Sequence, residues 1–346
     1  MRFYIVDVFA ESRLSGNQLA VFRDCGGLTT ERMQDIAREM HYSETTFVTS
    51  EEPRNGGYDV RVFTPGYELP FAGHPTLGTA YIVLSQIIGR PVETVRLNMK
   101  VGQIPVSFSY SKGSVDVLWM RQNAPTFGKT FSRGRLAKIL GLKVSDIDPK
   151  FPIQMVSTGV PFVIVPLLSL QAIKRINVET VGLAKLFKET DTSVILVFSP
   201  ETYSKDNDLN VRVFGLPTVI PEDPATGSGN GCLAAYLVKH RYLGRDKIDV
   251  RVEQGYEIDR KSLLLLRAHE TPRGIGGQRR GEGPVRGERG LPCLDLRPAR
   301  HYTKPIRVMA DERPGLHNVR MRTLRDEAES RRAIPISGTQ VQEVWL

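Results

Sequence analysis

Two stretches decide how this chain folds: Glu68-Leu69-Pro70-Phe71-Ala72-Gly73-His74-Pro75-Thr76 and Glu222-Asp223-Pro224-Ala225-Thr226-Gly227-Ser228-Gly229. Each reads Glu-x-Pro-x-x-Gly, then a small or polar residue and an apolar, helix-like run. A Gly-rich turn that opens a helix presents several main-chain N–H groups at the positive end of the helix dipole. Two such turns, one per half, imply a duplicated fold with an anion-holding site between the halves. His74 and Asp223 would stand at its rim.

Working outward, residues 3–9 read as a strand, Ser15-Gly16-Asn17 as a turn and Leu19–Phe22 as a second strand. Thr29 or Thr30 is placed to cap a helix running to about Met40, with Met33, Ile36, Ala37 and Met40 at helical spacing. Thr45–Val48 and Tyr58–Phe63 are strand-like. The first Gly-rich turn leads into a helix from about Pro75 to Gln86 whose polar face is thin, so it belongs in a core. The second half repeats this order. Thr158–Val165 parallels Gly16–Phe22, Arg212-Val213-Phe214 parallels Arg61-Val62-Phe63, and Cys232–Val238 continues the second turn as another apolar helix. Three blocks matching in one order fit a single duplication better than a repeat array.

A length of 346 residues, 40% hydrophobic and 25% charged, is that of a globular protein of about two domains. No run approaches the roughly 18–20 apolar residues needed to span a membrane, and the N-terminus has no signal-peptide layout. Cys25, Cys232 and Cys293 form no CxxC and no disulfide framework, which favours a reducing cytoplasm. The net charge of +9 is unevenly spread. Residues 276–346 carry a net +5, and the preceding 275 residues only +4. The body therefore has no basic stripe suited to nucleic acid.

Val6-Asp7-Val8-Phe9 with Ser15-Gly16-Asn17, Ser43–Val48, Glu68–Ala80, Val156–Gly159, Glu222–Ser228 and Glu253-Gln254-Gly255 resemble the PhzF-like (phenazine biosynthesis protein-like) family, from the N-terminus to about Arg267. The resemblance implies the diaminopimelate-epimerase-like fold, an α+β architecture. Its two similar domains would each wrap a curved, mostly antiparallel sheet around a central helix, here over 1–115 and 116–268. It also implies a homodimeric isomerase without metal or organic cofactor, acting on a small carboxylate-bearing metabolite.

In the resembling family the glutamate at the place of Glu44 moves a proton between carbon atoms. Residue type alone would make Glu44 a surface carboxylate at a helix end. The chemistry requires it to lie in a dry cleft, where desolvation raises a carboxyl pKa towards neutrality. His74 is suited to donate a hydrogen bond or assist the transfer, or only to fix its turn. Asp223 is suited to accept from a substrate amino or hydroxyl group, to orient His74, or to cap the helix entry. Gly227, Ser228 and Gly229 would offer N–H groups to a substrate carboxylate, and Gly73 and Gly159 would admit a close backbone approach. Asn17 reads as site-lining or as a turn asparagine. Related epimerases with this fold use two opposed thiols. The heads of these turns hold no cysteine, and Cys232 reads as a core residue. No HExxH, His/Asp cluster or Walker motif is present. A racemase or epimerase would need a second base opposite Glu44, and a non-catalytic small-molecule binding protein is the other alternative.

The tail, 276–346, breaks the pattern. It holds 13 arginines and one lysine, and Gly276–Pro284 lacks strand periodicity where the family fold needs two more strands. Codons allowed for Gly276–Pro284, shifted by one base, can encode Glu-Val-Asn-Val-Gly-Gly-Lys-Val, a strand and a hairpin turn. The tail is thus either frameshifted or a natural basic, partly disordered extension. Without terminal strands the fold would keep an unpaired edge.

Overall fold

A computed structural model describes residues 1–12, 14–216 and 221–270 in full, and 295–297 and 341–345 as backbone. The protein divides into two compact units, 1–120 with 298–346, and 121–297. Most of the tail, with the frameshift reading of Gly276–Pro284, lies outside the described residues.

In the first unit β1 (Arg2–Val8) and β2 (Asn17–Arg23) form a hairpin. Its turn depends on Gly16, at φ +74°, where a Cβ would lie 2.4 Å from the Val8 carbonyl oxygen. Helix α1 (Thr30–Met40) follows, capped by the Thr29 hydroxyl accepting from Arg32 N–H. It returns the backbone to β3 (Glu44–Val48), parallel to β2. Then come β4 (Tyr58–Phe63), the two-residue β5 (Glu68–Leu69) and α2 (Gly73–Ile82), which runs on as a π-helical turn, Val83–Ile88. Strands β6 (Thr94–Met99), β7 (Gly102–Ser111) and β8 (Ser114–Met120) complete the unit's sheet. Every residue of α2 is buried, because the sheet curls around it and it touches β1, β2, β3, β6, β7 and β8. Helix α1 covers the other face, where Met33 and Ala37 meet Phe3, Phe22, Phe47 and Phe63. These four rings come from four neighbouring strands: Phe3, Phe22 and Phe47 stack in a row, and Phe63 meets Phe47 edge-on. A sheet buried on both faces needs continuous apolar strands, not alternation.

The second unit begins with β9 (Thr126–Phe131), α3 (Arg133–Leu140), β10 (Ile153–Ser157) and β11 (Pro161–Pro166). It continues through α4 (Leu170–Lys174), α5 (Thr180–Lys188), β12 (Ile195–Ser199) and β13 (Leu209–Phe214). It closes with α6 (Gly227–Lys239), β14 (Lys247–Gln254) and β15 (Ser262–His269). Helix α6 is the central one, touching β10, β11, β14 and β15. Helices α3, α4 and α5 pack their apolar sides on the opposite face of the sheet. Two short tail strands join the sheets. β16 (Asp295–Arg297) pairs with β15, and β17 (Val341–Trp345) pairs with β1. The tail therefore supplies strand partners to β15 and β1, where the sequence led us to expect an open edge.

The duplication extends to every strand pairing. Read as β17-β1-β2-β3-β4-β6-β7-β8 and as β9-β10-β11-β12-β13-β14-β15-β16, both sheets show one succession. It is antiparallel, antiparallel, parallel, antiparallel, parallel, antiparallel, antiparallel. The helical crossovers α1 and α2 bridge the first unit's parallel pairs.

Candidate active site

The two units hold the candidate residues in two groups. In the first unit Glu44 opens β3 and pairs in register with Leu19 of β2. His74 occupies the second position of α2 and is buried. Glu44 Oε2 lies 3.5 Å from His74 Nε2, with the two side chains 14% and 6% exposed. Burial pushes the His74 pKa down to about 3, opposed only by a hydrogen bond to the Gln18 backbone. Since that bond raises the pKa, the ring N–H is the donor and the Gln18 carbonyl the acceptor. Nε2 has no hydrogen-bond partner among the described residues, so the bond runs through Nδ1. His74 is then a neutral imidazole with its Nε2 lone pair towards the Glu44 carboxyl. Two acceptor atoms facing each other can hold one proton between them. Asn17 is buried at the start of β2, next to Gln18. Gly73 opens α2, whose N-cap, Ala72, provides no side-chain hydrogen bond.

In the second unit Asp223 precedes α6, and its Oδ2 accepts from the Thr226 hydroxyl. Gly227, Ser228 and Gly229 form the first turn of α6, and the Thr226 side chain at the N-cap makes no capping bond. Gly229 has a packing reason as well: a Cβ there would lie 2.9 Å from the Phe162 ring and 3.2 Å from Leu196. Gly159 turns β10 into β11 at φ +142° and is exposed. It is tied indirectly to the Gly-rich turn. Its neighbour Thr158 donates to Gln122 Oε1 at 2.6 Å, and Gln122 Nε2 donates to the Gly227 carbonyl at 2.9 Å. Cys232 is buried in α6, with its thiol pushed up to about 12 by desolvation.

The glutamates of the two opening motifs have a structural task. Arg61 binds Glu68 through two N–H···O bonds of 2.8 and 2.7 Å, and Arg212 binds Glu222 through two of 2.8 and 2.6 Å. Each arginine also lies over the phenylalanine two residues on, Phe63 or Phe214. The motif glutamate thus clasps the Gly-rich turn to the preceding strand.

Strand registers show which residues correspond between units. Thr45 faces Phe63 as Ile195 faces Phe214, so Val194 stands where Glu44 does. Asn98 faces Asp59 as Glu253 faces Asn210, so the next residues, Met99 and Gln254, correspond. The motifs align His74 with Ser228 and Leu69 with Asp223. The chemistry is therefore unequally divided: Glu44 and His74 in one unit, Asp223, Thr226 and Gln254 in the other. Residue reading missed Gln18, Gln122, Thr226 and Gln254. Only the Glu253-Gln254-Gly255 triplet signalled the last of these, without a role. Among the described residues no group of three or more His, Cys, Asp or Glu is placed to hold a metal.

Two curled mixed sheets, each closed around a buried helix, define the diaminopimelate-epimerase-like class of isomerase fold. A solved "probable proline racemase" from Agrobacterium radiobacter shares it at a TM-score of 0.53 with 10% identity, over 86% of this protein and 89% of that one. The protein belongs to the phenazine biosynthesis-like (PhzC-PhzF) protein family, whose model matches residues 6–280. It is 35% identical over 268 residues to the trans-2,3-dihydro-3-hydroxyanthranilate isomerase of Pseudomonas aeruginosa, covering 77% of this sequence and 90% of that protein. An uncharacterized isomerase of Pasteurella multocida is 33% identical, over 78% of this sequence and 87% of that protein. The crystal structure of a PhzF-family phenazine biosynthesis protein from Bacillus anthracis matches at a TM-score of 0.74 and 28% identity, over 86% and 95% of the two proteins. The curated relatives are named isomerases, and this protein is an isomerase.

Proposed function

We propose that this isomerase moves a proton between carbon atoms of a small carboxylate-bearing metabolite, with Glu44 as the acid/base and His74 and Asp223 assisting, and with no metal or organic cofactor. The observation that carries the reading is the buried contact of Glu44 Oε2 with the neutral, unprotonated Nε2 of His74. An ionised carboxylate beside a neutral imidazole in a dry setting can take a proton from an acidic C–H, hold it in a hydrogen bond to Nε2, and return it. The C–H electron pair passes into the conjugated system of the substrate. Glu44, whose carboxyl proton can exchange with solvent between the two steps, then delivers a proton to another carbon, and the double bond migrates.

His74 Nε2 would accept a hydrogen bond from protonated Glu44, keeping the travelling proton on the carboxyl, and the Gln18 carbonyl fixes the ring's tautomer. The first turns of α2 and α6 offer N–H groups to a substrate carboxylate, through Gly73 in one unit and Gly227, Ser228 and Gly229 in the other. Asp223 would accept from a substrate amino or hydroxyl group. Asn17 in one unit and Gly159 in the other are assigned to substrate binding, and a homodimer in the cytoplasm is the working form. Duplication repeats no carboxylate at the place of Glu44, where the second unit has Val194. That favours one reversible acid/base over a symmetric two-base racemase.

The test is solvent-deuterium incorporation into trans-2,3-dihydro-3-hydroxyanthranilate and a panel of unsaturated carboxylates. The wild-type protein should wash label into a true substrate, and Glu44→Gln should abolish this while keeping its thermal unfolding temperature. Equal incorporation by the variant would overturn the assignment.

A further inference from the structure

Gln254 makes four hydrogen bonds, three to the turn that carries Asp223 and one to the helix that the turn opens. Its Oε1 accepts from Thr226 N–H at 3.1 Å and from Asn230 Nδ2 at 2.9 Å. Its Nε2 donates to the Asp223 carbonyl at 2.8 Å and to the Thr226 hydroxyl at 2.9 Å. Gln254 is completely buried. The following glycine lets it sit there: Gly255 is at φ +77°, and a Cβ would meet the Pro224 carbonyl oxygen at 2.6 Å.

The amide can point only one way. A backbone N–H can only donate and a backbone carbonyl can only accept. Turned over, the Gln254 amide would set NH2 against Thr226 N–H and oxygen against the Asp223 carbonyl. With Nε2 fixed as the donor to Thr226 Oγ1, the hydroxyl's single proton is left for Asp223 Oδ2, the other partner within bonding distance. The bonds form a directed series, Gln254 Nε2–H to Thr226 Oγ1–H to Asp223 Oδ2, and such bonds polarise one another. The first unit has no equivalent, because Met99, Ala72 and Leu69 hold the three corresponding places.

We propose that Gln254 is a positioning residue that sets the direction of the Thr226 hydroxyl, so that Asp223 Oδ2 always receives its proton and the carboxylate is held in one orientation. The catalytic consequence rests on the role given to Asp223 above, but the hydroxyl direction does not.

The experiment uses the full-length protein labelled with 13C at aspartate side chains, and reads the Asp223 carboxyl carbon at neutral pH without ligand. Gln254→Glu keeps the acceptor oxygen and exchanges the donor for a second acceptor, so the hydroxyl should turn towards the new carboxylate. The Asp223 signal should shift as it does in Thr226→Val, and Thr226→Ser should restore the wild-type position. In the double variant, Gln254→Glu should add no further shift to Thr226→Val. An unchanged Asp223 signal in Gln254→Glu, or equal added shifts in both backgrounds, overturns the proposal. If Gln254→Glu does not fold, Gln254→Met, which installs the first unit's residue, removes the donor without adding a competing acceptor, so the hydroxyl is free to rotate and a smaller Asp223 shift should appear, absent in the Thr226→Val background. A second reading is the isomerase assay. Gln254→Glu should lose about 10²-fold in kcat/KM, the scale of a small misplacement, and far less in the Thr226→Val background. Loss of deuterium incorporation in wild type would strike the isomerase reading alone, since the carboxyl signal is read without substrate.

Discussion

Arg212 holds Glu222 through two parallel N–H···O bonds, and both side chains are only 10% exposed. A third donor, Nη1, reaches the Ile173 carbonyl at 2.9 Å and ties the clasp to α4. The first unit repeats the pair as Arg61 and Glu68, in a wetter setting where Arg61 is 27% exposed and Lys100 supplies a second cation to Glu68. Removing one partner of a buried pair strands the other charge, at a cost of about 3–5 kcal/mol. The better-solvated clasp should lose about 1–2 kcal/mol. Arg212→Met is therefore expected to destabilise the protein more than Arg61→Met. Urea midpoints of the two variants decide it, and equal losses would show that burial does not set the difference.

The same clasp predicts a pH dependence. The hydrogen bonds from Arg61, then those from Lys100, hold Glu68 below its ordinary value of 4.5 against the opposing effect of burial. A depressed carboxylate stabilises the fold above its unfolded pKa, and that contribution is lost as pH falls through the folded one. The stability gap between wild type and Glu68→Gln should be full at neutral pH and should close below about pH 4.5. A gap that stays constant down to pH 3 would contradict this.

His74 has the opposite chemistry. Its folded pKa of about 3 lies below its ordinary 6.5 because burial disfavours the cation. Between those values the unfolded state binds a proton that the folded state refuses, so falling pH draws the equilibrium towards unfolding. Wild type should lose roughly 1 kcal/mol per pH unit below 6.5 relative to His74→Gln. Paired denaturant titrations at pH 7.5, 6 and 5 measure it. Parallel stability curves would mean that His74 takes up its proton in the folded state.

Much of the scaffold was legible in the residues. Thr29 as a cap, with Met33, Ile36, Ala37 and Met40 at helical spacing, places α1 as observed, and the repeated Glu-x-Pro-x-x-Gly blocks mark the two central helices. The family motifs likewise point to Glu44 and His74, which the fold brings to 3.5 Å. What could not be read was linkage between elements. The Arg-Val-Phe blocks and the motif glutamates were each visible as repeats, but their pairing depends on β4 and β13 running beside the turns they precede. Gln254 stands 28 positions from Thr226, and its reach depends on β14 lying parallel to β13. Glu253 is similar. Its buried carboxylate accepts from Tyr203 N–H, Ser204 N–H and the Asn207 and Asn210 amides, which no local pattern announces. Helices α3, α4 and α5 cover the back of a sheet whose apolar strands show the need for a cover, not its form.

The central helices make a last prediction about glycine. In an exposed helix position Gly→Ala stabilises by up to about 1 kcal/mol, because alanine loses less backbone freedom on folding. Gly134 in α3 is such a site, with no atom within 4 Å of the added Cβ. Gly229 in α6 and Gly78 in α2 are not. At Gly229 the Cβ would press on the Phe162 ring at 2.9 Å, and at Gly78 on Leu19 Cδ2 at 2.6 Å and Val8 Cγ2 at 3.1 Å. These contacts should outweigh the propensity gain and leave a net loss of about 1–2 kcal/mol. The loss should be larger at Gly229, because an aromatic ring held between strands yields less readily than the end of a leucine. Gly134→Ala should raise the urea midpoint while Gly78→Ala and Gly229→Ala lower it. A rise in all three would mean that the sheets curl loosely enough around their helices to admit a methyl group.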